Sequence, residues 1–375
     1  MNFSSGVLRN DEKAIYSLRE LYKKHGYSHY KVSKFEEYDL YAHNKNFLLS
    51  ENILSFTDTN GTLMALKPDV TLSIVKNILP ESEKVSKVYY NEYVYRTSSD
   101  SNGFKEIMQT GLECIGKVDD FAQCEVIMLA MKSLETISRD YLLDISHMGF
   151  IEGVMEMADI PEENAMEFLK LLSAKNVSGI KSFCASNGVD ADMAERIAAL
   201  AEMYLPIGEA LPKMKPFAVS EKAAKAFAEL ENIACAAEAY GLSDKLYVDV
   251  SVVNDMSYYD GIIFNGFIRE IPDSVLSGGR YDRLLGKLGK PLCAIGFAVY
   301  LDRLDALSNS DSSYDADIML TYDEGIAVKD IINTVDALTK DGYTVFASGS
   351  SSENIRCKKL LKLEKGGVRT IENND

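Results

Sequence analysis

Residues 87–116 read KVYYNEYVYRTSSDSNGFKEIMQTGLECIG. Two runs in this stretch, Lys87–Arg96 and Glu106–Gly116, are rich in Tyr, Val and Ile, which favour β-strands. The polar segment Thr97–Lys105 joins the two runs and has the composition of a loop. The stretch therefore predicts a long antiparallel hairpin.

The flanking sequence predicts further strands on both sides of this hairpin. Asp58–Gly61 ends in Asn-Gly, which favours a tight turn between two short extended runs. The segment Ser277–Arg280, which reads SGGR, is also predicted to be a turn. Strands joined by hairpins favour a mainly antiparallel sheet. The predicted strands outside the long hairpin are Leu54–Thr57, Thr62–Lys67, Tyr141–His147, Leu246–Val252, Tyr259–Arg269 and Cys293–Val299.

Helical periodicity marks the start of the chain and a long central block. A helix is predicted from Asn10 onward, another over Asp119–Ile137 and a short one over Leu301–Leu307. Residues 150–243 carry helical spacing with much Ala, Met and Leu, so we predict a helical insertion between strands. The resulting class is α+β. The stripe predicted to be packing core of the insertion is Met193, Ile197, Leu200 and Tyr204.

The C-terminal part of the chain is set off by a run of Ser, Asn and Asp at 308–313, which predicts a linker. Beyond it the pattern predicts β-α-β-α-β, a small parallel α/β domain over residues 314–375. The second helix of this domain is predicted at Ile355–Lys365. The stretch Arg356–Arg369 contains six basic residues and one acidic residue, which indicates either an anion patch or the solvated face of that helix.

The composition excludes several classes of function. With 40 Lys+Arg against 57 Asp+Glu the formal net charge is −17, which disfavours general binding of polyanions. No run approaches the ~18 uncharged apolar residues of a membrane span, so we expect a cytoplasmic protein. Six scattered cysteines and four histidines without metal-ligand spacing indicate reduced thiols and no metal site.

Several short segments carry motifs in a fixed order along the chain. They are ALKPDVT at 65–71, YR at 95–96 with QTGLE at 109–113, the tyrosine pair of 254–264, SGGRYD at 277–282 and AIGFAVYLDRL at 294–304. Together they resemble the histidyl-tRNA synthetase family of class II synthetases. The resemblance covers about residues 1–310 and implies a class II antiparallel sheet flanked by helices, with the insertion 150–243 inside this domain. More loosely, residues 314–375 resemble a truncated anticodon-binding domain.

The resemblance implies a histidine-binding set at six positions of this sequence: Asp69, Gln109, Glu113, Tyr258, Tyr259 and Tyr281. Carboxylates accept charge-assisted hydrogen bonds from an α-ammonium group, and tyrosine hydroxyls can orient an imidazole ring. Gln109 and Glu113 are an even number of residues apart, so they share one face of their strand. Asp69 is shorter than the family's usual Glu. The alternative for Gln109 and Glu113 is a structural role as relics that stabilise the sheet.

The family's nucleotide-binding set is reduced in this sequence. Ser98 stands where the family has Glu, Asn254 where it has Arg, and Tyr300 where it has Gly. The loss of a fixed charge from a partly desolvated site costs about 3–5 kcal/mol, or roughly 10²- to 10³-fold in rate. Efficient adenylation is therefore not expected. The motif positions that remain cationic, interpreted as a vestigial nucleotide site, are Arg96, Arg280 and Arg303.

A synthetase fold with an amino-acid pocket and a damaged nucleotide site resembles a paralogous family, the regulatory subunits of ATP phosphoribosyltransferase. This resemblance implies a subunit without catalytic activity or cofactor that acts in the first step of histidine biosynthesis and in feedback inhibition by histidine. The implied partner is the short-form catalytic subunit, in a hetero-octamer that contains a homodimer of this chain, and no tRNA is expected. Two alternatives stay open: a divergent histidyl-tRNA synthetase that activates histidine and charges tRNA, and a histidine-binding module for another enzyme.

Overall fold

The computed structural model divides the chain into two units, Met1–Leu307 and Ser308–Asp375. The residues that it describes are 8–44, 52–78, 84–97, 103–253, 258–307, 314–350 and 354–374. In the first unit the α-helices are α1 (Asn10–Lys24), α2 (Tyr38–Ala42), α3 (Thr71–Asn77), α4 (Asp120–Ile137), α5 (Met148–Met157), α6 (Ala165–Ser173), α7 (Val177–Ser186), α8 (Ala191–Ala201), α9 (Ile207–Met214), α10 (Glu221–Tyr240) and α11 (Asp282–Lys287).

The strands of the first unit belong to two sheets. They are β1 (Ser28–His29), β2 (Phe35–Glu37), β3 (Ser55–Thr57), β4 (Leu63–Leu66), β5 (Ser86–Thr97), β6 (Phe104–Gly116), β7 (Tyr141–His147), β8 (Tyr204–Pro206), β9 (Leu246–Asp249), β10 (Ile262–Ile268), β11 (Leu276–Arg280) and β12 (Cys293–Tyr300). Short 3-10 helices occupy Glu162–Asn164, Lys215–Phe217, Ser243–Lys245 and Leu301–Leu307.

The larger sheet has nine strands in the order β1-β5-β6-β12-β11-β10-β7-β9-β8. All neighbours are antiparallel except β1 with β5 and β7 with β9. The predicted long hairpin is confirmed, because β5 and β6 pair from Ser86 opposite Ile115 to Thr97 opposite Phe104. The helix α4, buried along most of its length, packs on β7, β10 and β12 and closes one side of the sheet. The α+β class with a mainly antiparallel sheet is confirmed.

The smaller sheet has the order β2-β4-β3 and contains the predicted short hairpin. Its turn is held by Asp58, whose Oδ1 accepts hydrogen bonds from the backbone N–H groups of Asn60 and Thr62, each at 2.8 Å. Gly61 adopts φ +83°, a left-handed conformation that favours glycine. The Asn-Gly pair was therefore a valid signal for this turn.

The helical insertion follows β7 and ends before β9, as predicted, but it also contains the strand β8. In the predicted stripe, Ile197 and Leu200 are buried in α8, whereas Tyr204 lies beyond the end of that helix in β8 and is 41% exposed. The prediction for Tyr204 was therefore wrong. Pro206 disfavours a continuation of the helix through β8, because proline lacks an N–H group and disfavours the helical conformation in the residue before it.

The predicted turn at Ser277–Arg280 was also wrong, since these residues form most of strand β11. A Cβ atom at Gly278 would lie 2.6 Å from the ring of Phe264, and one at Gly279 would lie 2.6 Å from the ring of Tyr259. The two glycines therefore permit close packing of large rings against the strand rather than a change of chain direction.

The second unit contains β13 (Ala316–Tyr322), α12 (Val328–Lys340), β14 (Val345–Ser348), β15 (Cys357–Glu364) and β16 (Gly367–Asn373), with sheet order β14-β13-β15-β16. The helix predicted at Ile355–Lys365 is a strand, paired in parallel with β13 and antiparallel with β16. Cys357, Leu361 and Leu363 are buried at odd positions, the two-residue period of a strand.

The basic stretch Arg356–Arg369 therefore lies on a β-hairpin, not on a terminal helix. Several of its cations face carboxylates: Lys358 lies 2.8 Å from Asp317, and Lys362 lies 2.9 Å from Asp323. Such pairing reduces the charge available to an anion. Within the described ranges no helix is both long and apolar enough to cross a membrane. All six cysteines are free thiols.

Candidate functional site

A small cavity lies on the large sheet where β6, β12 and β11 run side by side. All six residues of the predicted histidine-binding set line it: Asp69, Gln109, Glu113, Tyr258, Tyr259 and Tyr281. The other lining residues are Thr71, Tyr90, Arg96, Ser277, Gly296, Phe297, Ala298 and Tyr300. We call this the sheet cavity. The fold thus brings together segments that are far apart in the sequence.

The register of the sheet explains how Gln109 and Glu113 reach this cavity. Glu113 of β6 lies opposite Gly296 of β12, and Gln109 lies opposite Tyr300. A Cβ atom at Gly296 would lie only 1.8 Å from Oε2 of Glu113. Only glycine therefore leaves room for the carboxyl group of Glu113 above the neighbouring strand.

Glu113 is buried and held by two hydroxyl groups. Thr71 donates a hydrogen bond from Oγ1 to Oε1 of Glu113 at 2.6 Å, and the hydroxyl of Tyr281 donates to Oε2. Burial raises the pKa of Glu113 to about 8, and Asp69 adds to the rise, whereas the two hydrogen bonds oppose it. Glu113 is therefore largely protonated at neutral pH, and a cation beside it would favour release of that proton.

Asp69 is the second buried carboxyl group of the cavity. Its Oδ1 accepts a hydrogen bond from the backbone N–H of Leu72 at 2.8 Å, in the first turn of α3. Burial raises the pKa of Asp69, and the opposite charge of Arg96, with Nη2 at 4.0 Å, acts against this rise. The cavity therefore holds two buried acids and one arginine.

Gln109 presents an unsatisfied donor. Its side chain is 2% exposed, and among the described residues its Nε2 has no hydrogen-bond partner. A buried donor without a partner is destabilising by about 1–3 kcal/mol. A bound ligand or an ordered water would remove this penalty, so the position favours an occupied cavity.

Three tyrosine rings form one wall of the cavity. The rings of Tyr258 and Tyr259 have centroids 4.4 Å apart in an edge-to-face arrangement, and those of Tyr258 and Tyr281 are 6.1 Å apart. Burial raises the pKa of all three hydroxyl groups well above the ordinary value, so they stay protonated and can donate. The remaining volume is about 40 Å³, enough for roughly three water molecules.

The three arginines of the predicted nucleotide site lie in different places. Arg96 lines the cavity and donates from Nε to the carbonyl of Pro68 at 2.8 Å. Arg303 donates to the carbonyl of Ser274, and its guanidinium lies 4.5 Å from the ring centroid of Tyr300. Both arginines therefore already have partners.

Arg280 points away from the sheet cavity. It donates from Nη1 to Gln123 of α4 at 3.0 Å and from Nε to Asp282 at 2.9 Å. Its neighbour Tyr281 lines the cavity, because successive side chains of an extended segment leave on opposite sides. The structure does not bring Arg280 together with Arg96.

Sequence reasoning missed some residues of the cavity and could have found them. Thr71 is the last residue of the ALKPDVT motif, so its position beside Asp69 was a usable signal. Tyr90 lies opposite Gly111 across β5 and β6, and a Cβ atom at Gly111 would lie 2.6 Å from the Tyr90 hydroxyl. A tyrosine opposite a glycine in a predicted hairpin indicates a ring packed over the strand.

Two of the predicted departures from the family, Ser98 and Asn254, lie outside the described residues. So do residues 99–102 of the hairpin loop. Within the described part of the chain, no group of three His, Cys, Asp or Glu side chains is arranged to hold a metal ion.

The chain is similar in sequence to a known protein family and to a known protein. Residues 7–304 match the family model described as histidyl-tRNA synthetase. The ATP phosphoribosyltransferase regulatory subunit of Clostridium botulinum (strain 657 / Type Ba4) is 30% identical over 292 residues, 76% of this chain and 69% of that relative.

Two solved structures have a similar fold. An ATP phosphoribosyltransferase regulatory subunit/histidyl-tRNA synthetase from Bacillus halodurans has a TM-score of 0.74 at 22% identity, covering 94% of this chain and 93% of that one. A chain of the ATP phosphoribosyl transferase (HisG:HisZ) complex from Thermotoga maritima has a TM-score of 0.62 at 20% identity, covering 78% of this chain and 97% of that one.

The antiparallel sheet and the cavity on it define a class II aminoacyl-tRNA-synthetase-like protein. The family model covers most of the chain, and the Clostridium botulinum relative is similar over two thirds of each protein. The chain belongs to the histidyl-tRNA synthetase family, within the group of ATP phosphoribosyltransferase regulatory subunits.

Proposed function

We propose that this chain is a non-catalytic regulatory subunit of ATP phosphoribosyltransferase, required for the first step of histidine biosynthesis and for feedback inhibition by histidine. The curated relative carries the name of such a subunit, and the similar chain from Thermotoga maritima was solved in a HisG:HisZ complex. By this proposal the chain works in the cytoplasm as a homodimer within a hetero-octamer, and its partner is a short-form catalytic subunit.

The chemistry of the sheet cavity is the observation that carries this proposal. Asp69 can accept a hydrogen bond from the ammonium group of histidine, and Glu113 can accept one from the imidazole ring. The Nε2 of Gln109, which has no hydrogen-bond partner among the described residues, and the guanidinium of Arg96 are donors for the carboxylate. Charge-assisted hydrogen bonds of this kind contribute about 1.5–3 kcal/mol each.

The same cavity is poorly suited to a nucleotide. Adenylation requires cations around the phosphates and the charge that develops in the transition state. Among the described residues that line the cavity, Arg96 is the one cation, and its Nη2 already lies 4.0 Å from Asp69. The ring of Tyr300 also lines the cavity, and Arg303 is bonded to Ser274 and stacked on that ring. These contacts support a subunit without adenylation activity.

Histidine can enter only if the cavity opens. Small-molecule sites commonly have volumes of about 300–1,000 Å³, far above the 40 Å³ of this cavity. Rotation of Tyr258 or Tyr259 would create the space, and the ring contacts of Tyr258 with Tyr259 and Tyr281 would change. A ligand that binds two arrangements with different affinity can regulate a partner, since allostery is a coupling free energy between states.

The test is reconstitution of the purified chain with a short-form catalytic subunit. We expect the chain to confer ATP phosphoribosyltransferase activity and histidine to inhibit it. Glu113→Gln should retain activation and weaken inhibition by roughly 10- to 100-fold, because a charge-assisted hydrogen bond is lost. Glu106→Gln is the matched control, since Glu106 is exposed on the same strand and does not line the cavity.

The divergent-synthetase alternative is tested in parallel by histidine-dependent exchange between ATP and pyrophosphate. Robust exchange by the isolated chain would overturn the regulatory proposal. Failure of the catalytic subunit to bind or respond would instead favour a histidine-binding module for another enzyme.

We also propose that residues 1–310 and 314–375 act as separate domains, the second a truncated form of the anticodon-binding domain. The second unit has its own apolar cluster, which includes Ile318, Leu320 and Leu363. A chain that ends at Leu307 should keep the histidine affinity of the full chain. A loss of binding on truncation would contradict this division.

A further inference from the structure

The helical insertion contains a second, larger cavity that takes no part in the proposed function. It lies where α8, β8 and the 3-10 helix Lys215–Phe217 meet, and its volume is about 590 Å³. This value is within the range of about 300–1,000 Å³ that is common for small-molecule sites. We call it the insertion cavity.

Most of the lining is apolar. Leu200 contributes a buried side chain from the last turn of α8, Met203 one from the segment after that helix, and Phe217 a buried ring from the 3-10 helix. Pro216 allows this turn, because a proline is well tolerated in the first turn of a helix. The cavity therefore offers an apolar surface to the hydrocarbon part of a ligand.

Tyr204 gives the cavity a rigid aromatic wall. Its ring is 41% exposed, yet its hydroxyl donates to Oδ1 of Asp144 at 3.0 Å. One contact of the ring is a stack on Tyr247 with 5.0 Å between centroids, and Nζ of Lys175 lies 5.4 Å from its centroid. An exposed aromatic ring fixed by three contacts is preorganised for binding, so little conformational entropy is lost when a ligand packs on it.

Two cations on the cavity wall form no ion pair with any residue that the structure describes. The guanidinium of Arg196 lies 5.1 Å from the ring centroid of Phe217. It forms no hydrogen bond or ion pair with the described residues. Lys213 likewise has no ion pair with a described residue. Nearby Lys181, by contrast, pairs with Glu195 at 2.6 Å. In a chain of net charge −17, two unpaired cations beside an apolar cavity indicate an anionic ligand.

The charges of the lining residues indicate which kind of anion the cavity would bind. Among the described residues of the lining, Glu202 is the one acid beside two cations, so they carry a net charge of one positive unit. A monoanion with an apolar body matches that balance better than a dianionic phosphate, which would leave a charge uncompensated next to Glu202. We propose that the insertion cavity binds a small amphipathic carboxylate, with its hydrocarbon or aromatic body on Leu200 and Phe217 and its carboxylate near Arg196 and Lys213.

The test is calorimetric titration of the full chain with sodium 4-phenylbutyrate and sodium octanoate, each compared with the corresponding alcohol. We expect saturable binding of at least one carboxylate, about tenfold tighter than its alcohol. Arg196→Met should remove most of this preference, and Glu202→Gln should strengthen carboxylate binding. Lys215→Met is the matched control, since Lys215 is exposed on the same 3-10 helix but outside the lining.

The variant Ala199→Trp tests whether the carboxylate binds in the insertion cavity. Ala199 is exposed and lines the cavity, so a tryptophan there should fill the space and abolish binding without disturbing the fold, as thermal unfolding will check. Several outcomes would overturn the proposal: no saturable binding of either carboxylate, equal affinity for acid and alcohol, or unchanged binding in Ala199→Trp. Loss of association with the catalytic subunit in Ala199→Trp, without ligand binding in the parent chain, would identify a protein-binding surface instead.

Discussion

The residues just before β10 and at the end of β11 alternate between two faces of the large sheet, which we call the front and back faces. The two faces differ in chemistry. On the front face, Tyr259 and Tyr281 line the sheet cavity. On the back face, Asp260, Arg280 and Asp282 line a polar cavity of about 310 Å³ that His147 and Glu229 also enter. Alternation along an extended chain sends successive side chains to these two environments.

The two faces differ in how many of their polar groups have hydrogen-bond partners. On the back face Arg280 bonds to Gln123 and Asp282, and Nε2 of His147 lies 3.1 Å from a carboxylate oxygen of Glu229. On the front face the Nε2 of Gln109 has no partner in the described residues, and burial raises the pKa of Glu113. We infer that the back face stabilises the fold, whereas the front face keeps unused capacity to bind a ligand.

Gly296→Ala should have the largest effect, because it damages the front face at its closest contact. The new methyl group would lie 1.8 Å from the carboxylate of Glu113 and 2.6 Å from the carbonyl of Leu112. We expect a loss of about 3 kcal/mol in the free energy of unfolding and loss of histidine binding. Urea denaturation and calorimetry measure the two effects. The control Gly286→Ala, with open space around it in α11, should be neutral or slightly stabilising.

Arg280→Met tests the back face alone. It removes the donor to the side-chain oxygen of Gln123 and to Oδ2 of Asp282 in a part-buried setting, so we expect a loss of about 2 kcal/mol in the free energy of unfolding. The affinity for histidine should change less than about threefold, since Arg280 does not line the sheet cavity. Arg269→Met, which removes an exposed ion pair, should change stability by less than ~1 kcal/mol. A large loss of histidine affinity in Arg280→Met would contradict the proposal that the back face stabilises the fold and the front face binds the ligand.

Buried acids on the two faces should make opposite contributions to the pH dependence of the free energy of unfolding. Between about pH 5 and pH 8 the folded chain keeps a proton on Glu113 that the unfolded chain has released, so the free energy of unfolding falls as the pH rises. Burial acts to raise the pKa of Glu229, but hydrogen bonds from His147 and Gln123 lower it to about 2. The contribution of Glu229 is therefore present above its ordinary pKa and is lost as the pH falls toward 2.

Chemical denaturation across this pH range checks the assignment. Glu113→Gln should flatten the dependence between about pH 5 and pH 8, by at most ~1.4 kcal/mol per pH unit, and leave the acid limb unchanged. Glu229→Gln should affect the acid limb alone. An unchanged slope above pH 5 in Glu113→Gln would refute the raised pKa.

Several strands could be predicted because residue types that favour extended structure are concentrated in them or because a turn signal adjoins them. The Tyr and Val of Lys87–Arg96 and the Asn-Gly of the short hairpin are local signals, and both were correct. Cys357–Glu364 failed because alternating Lys and Leu residues fit a helical and an extended period about equally well. Ser277–Arg280 failed because two adjacent glycines indicate a turn locally, while their actual role is to admit the rings of Phe264 and Tyr259. That role depends on partners distant in sequence.

The site was predictable to the extent that motif residues share one strand face. Gln109 and Glu113 follow that rule, and the structure places them in one cavity. Arg280 and Tyr281 belong to one motif, but adjacent residues of an extended segment cannot share a face. The small size of the cavity was beyond prediction, because it depends on how three tyrosine rings pack.

The smallest expected effect comes from His147→Asn on the back face. The Nδ1 of His147 accepts the backbone N–H of Gly149 at 3.1 Å, which leaves the proton on Nε2 to be donated to Glu229. Asparagine can still accept from Gly149 as an N-cap, but it is too short to reach Glu229, to which Gln123 still donates at 3.0 Å.

Only one of the two bonds of His147 is lost in this variant, so the free energy of unfolding should fall by about 1 kcal/mol, measured by urea denaturation. The affinity for histidine should stay the same. His147→Ala, which removes the cap as well, should lose about 1 kcal/mol more. Equal losses in the two variants would show that the cap contributes nothing. Weaker histidine binding in His147→Asn would show that the back face controls the packing of the front face through the shared strand ends.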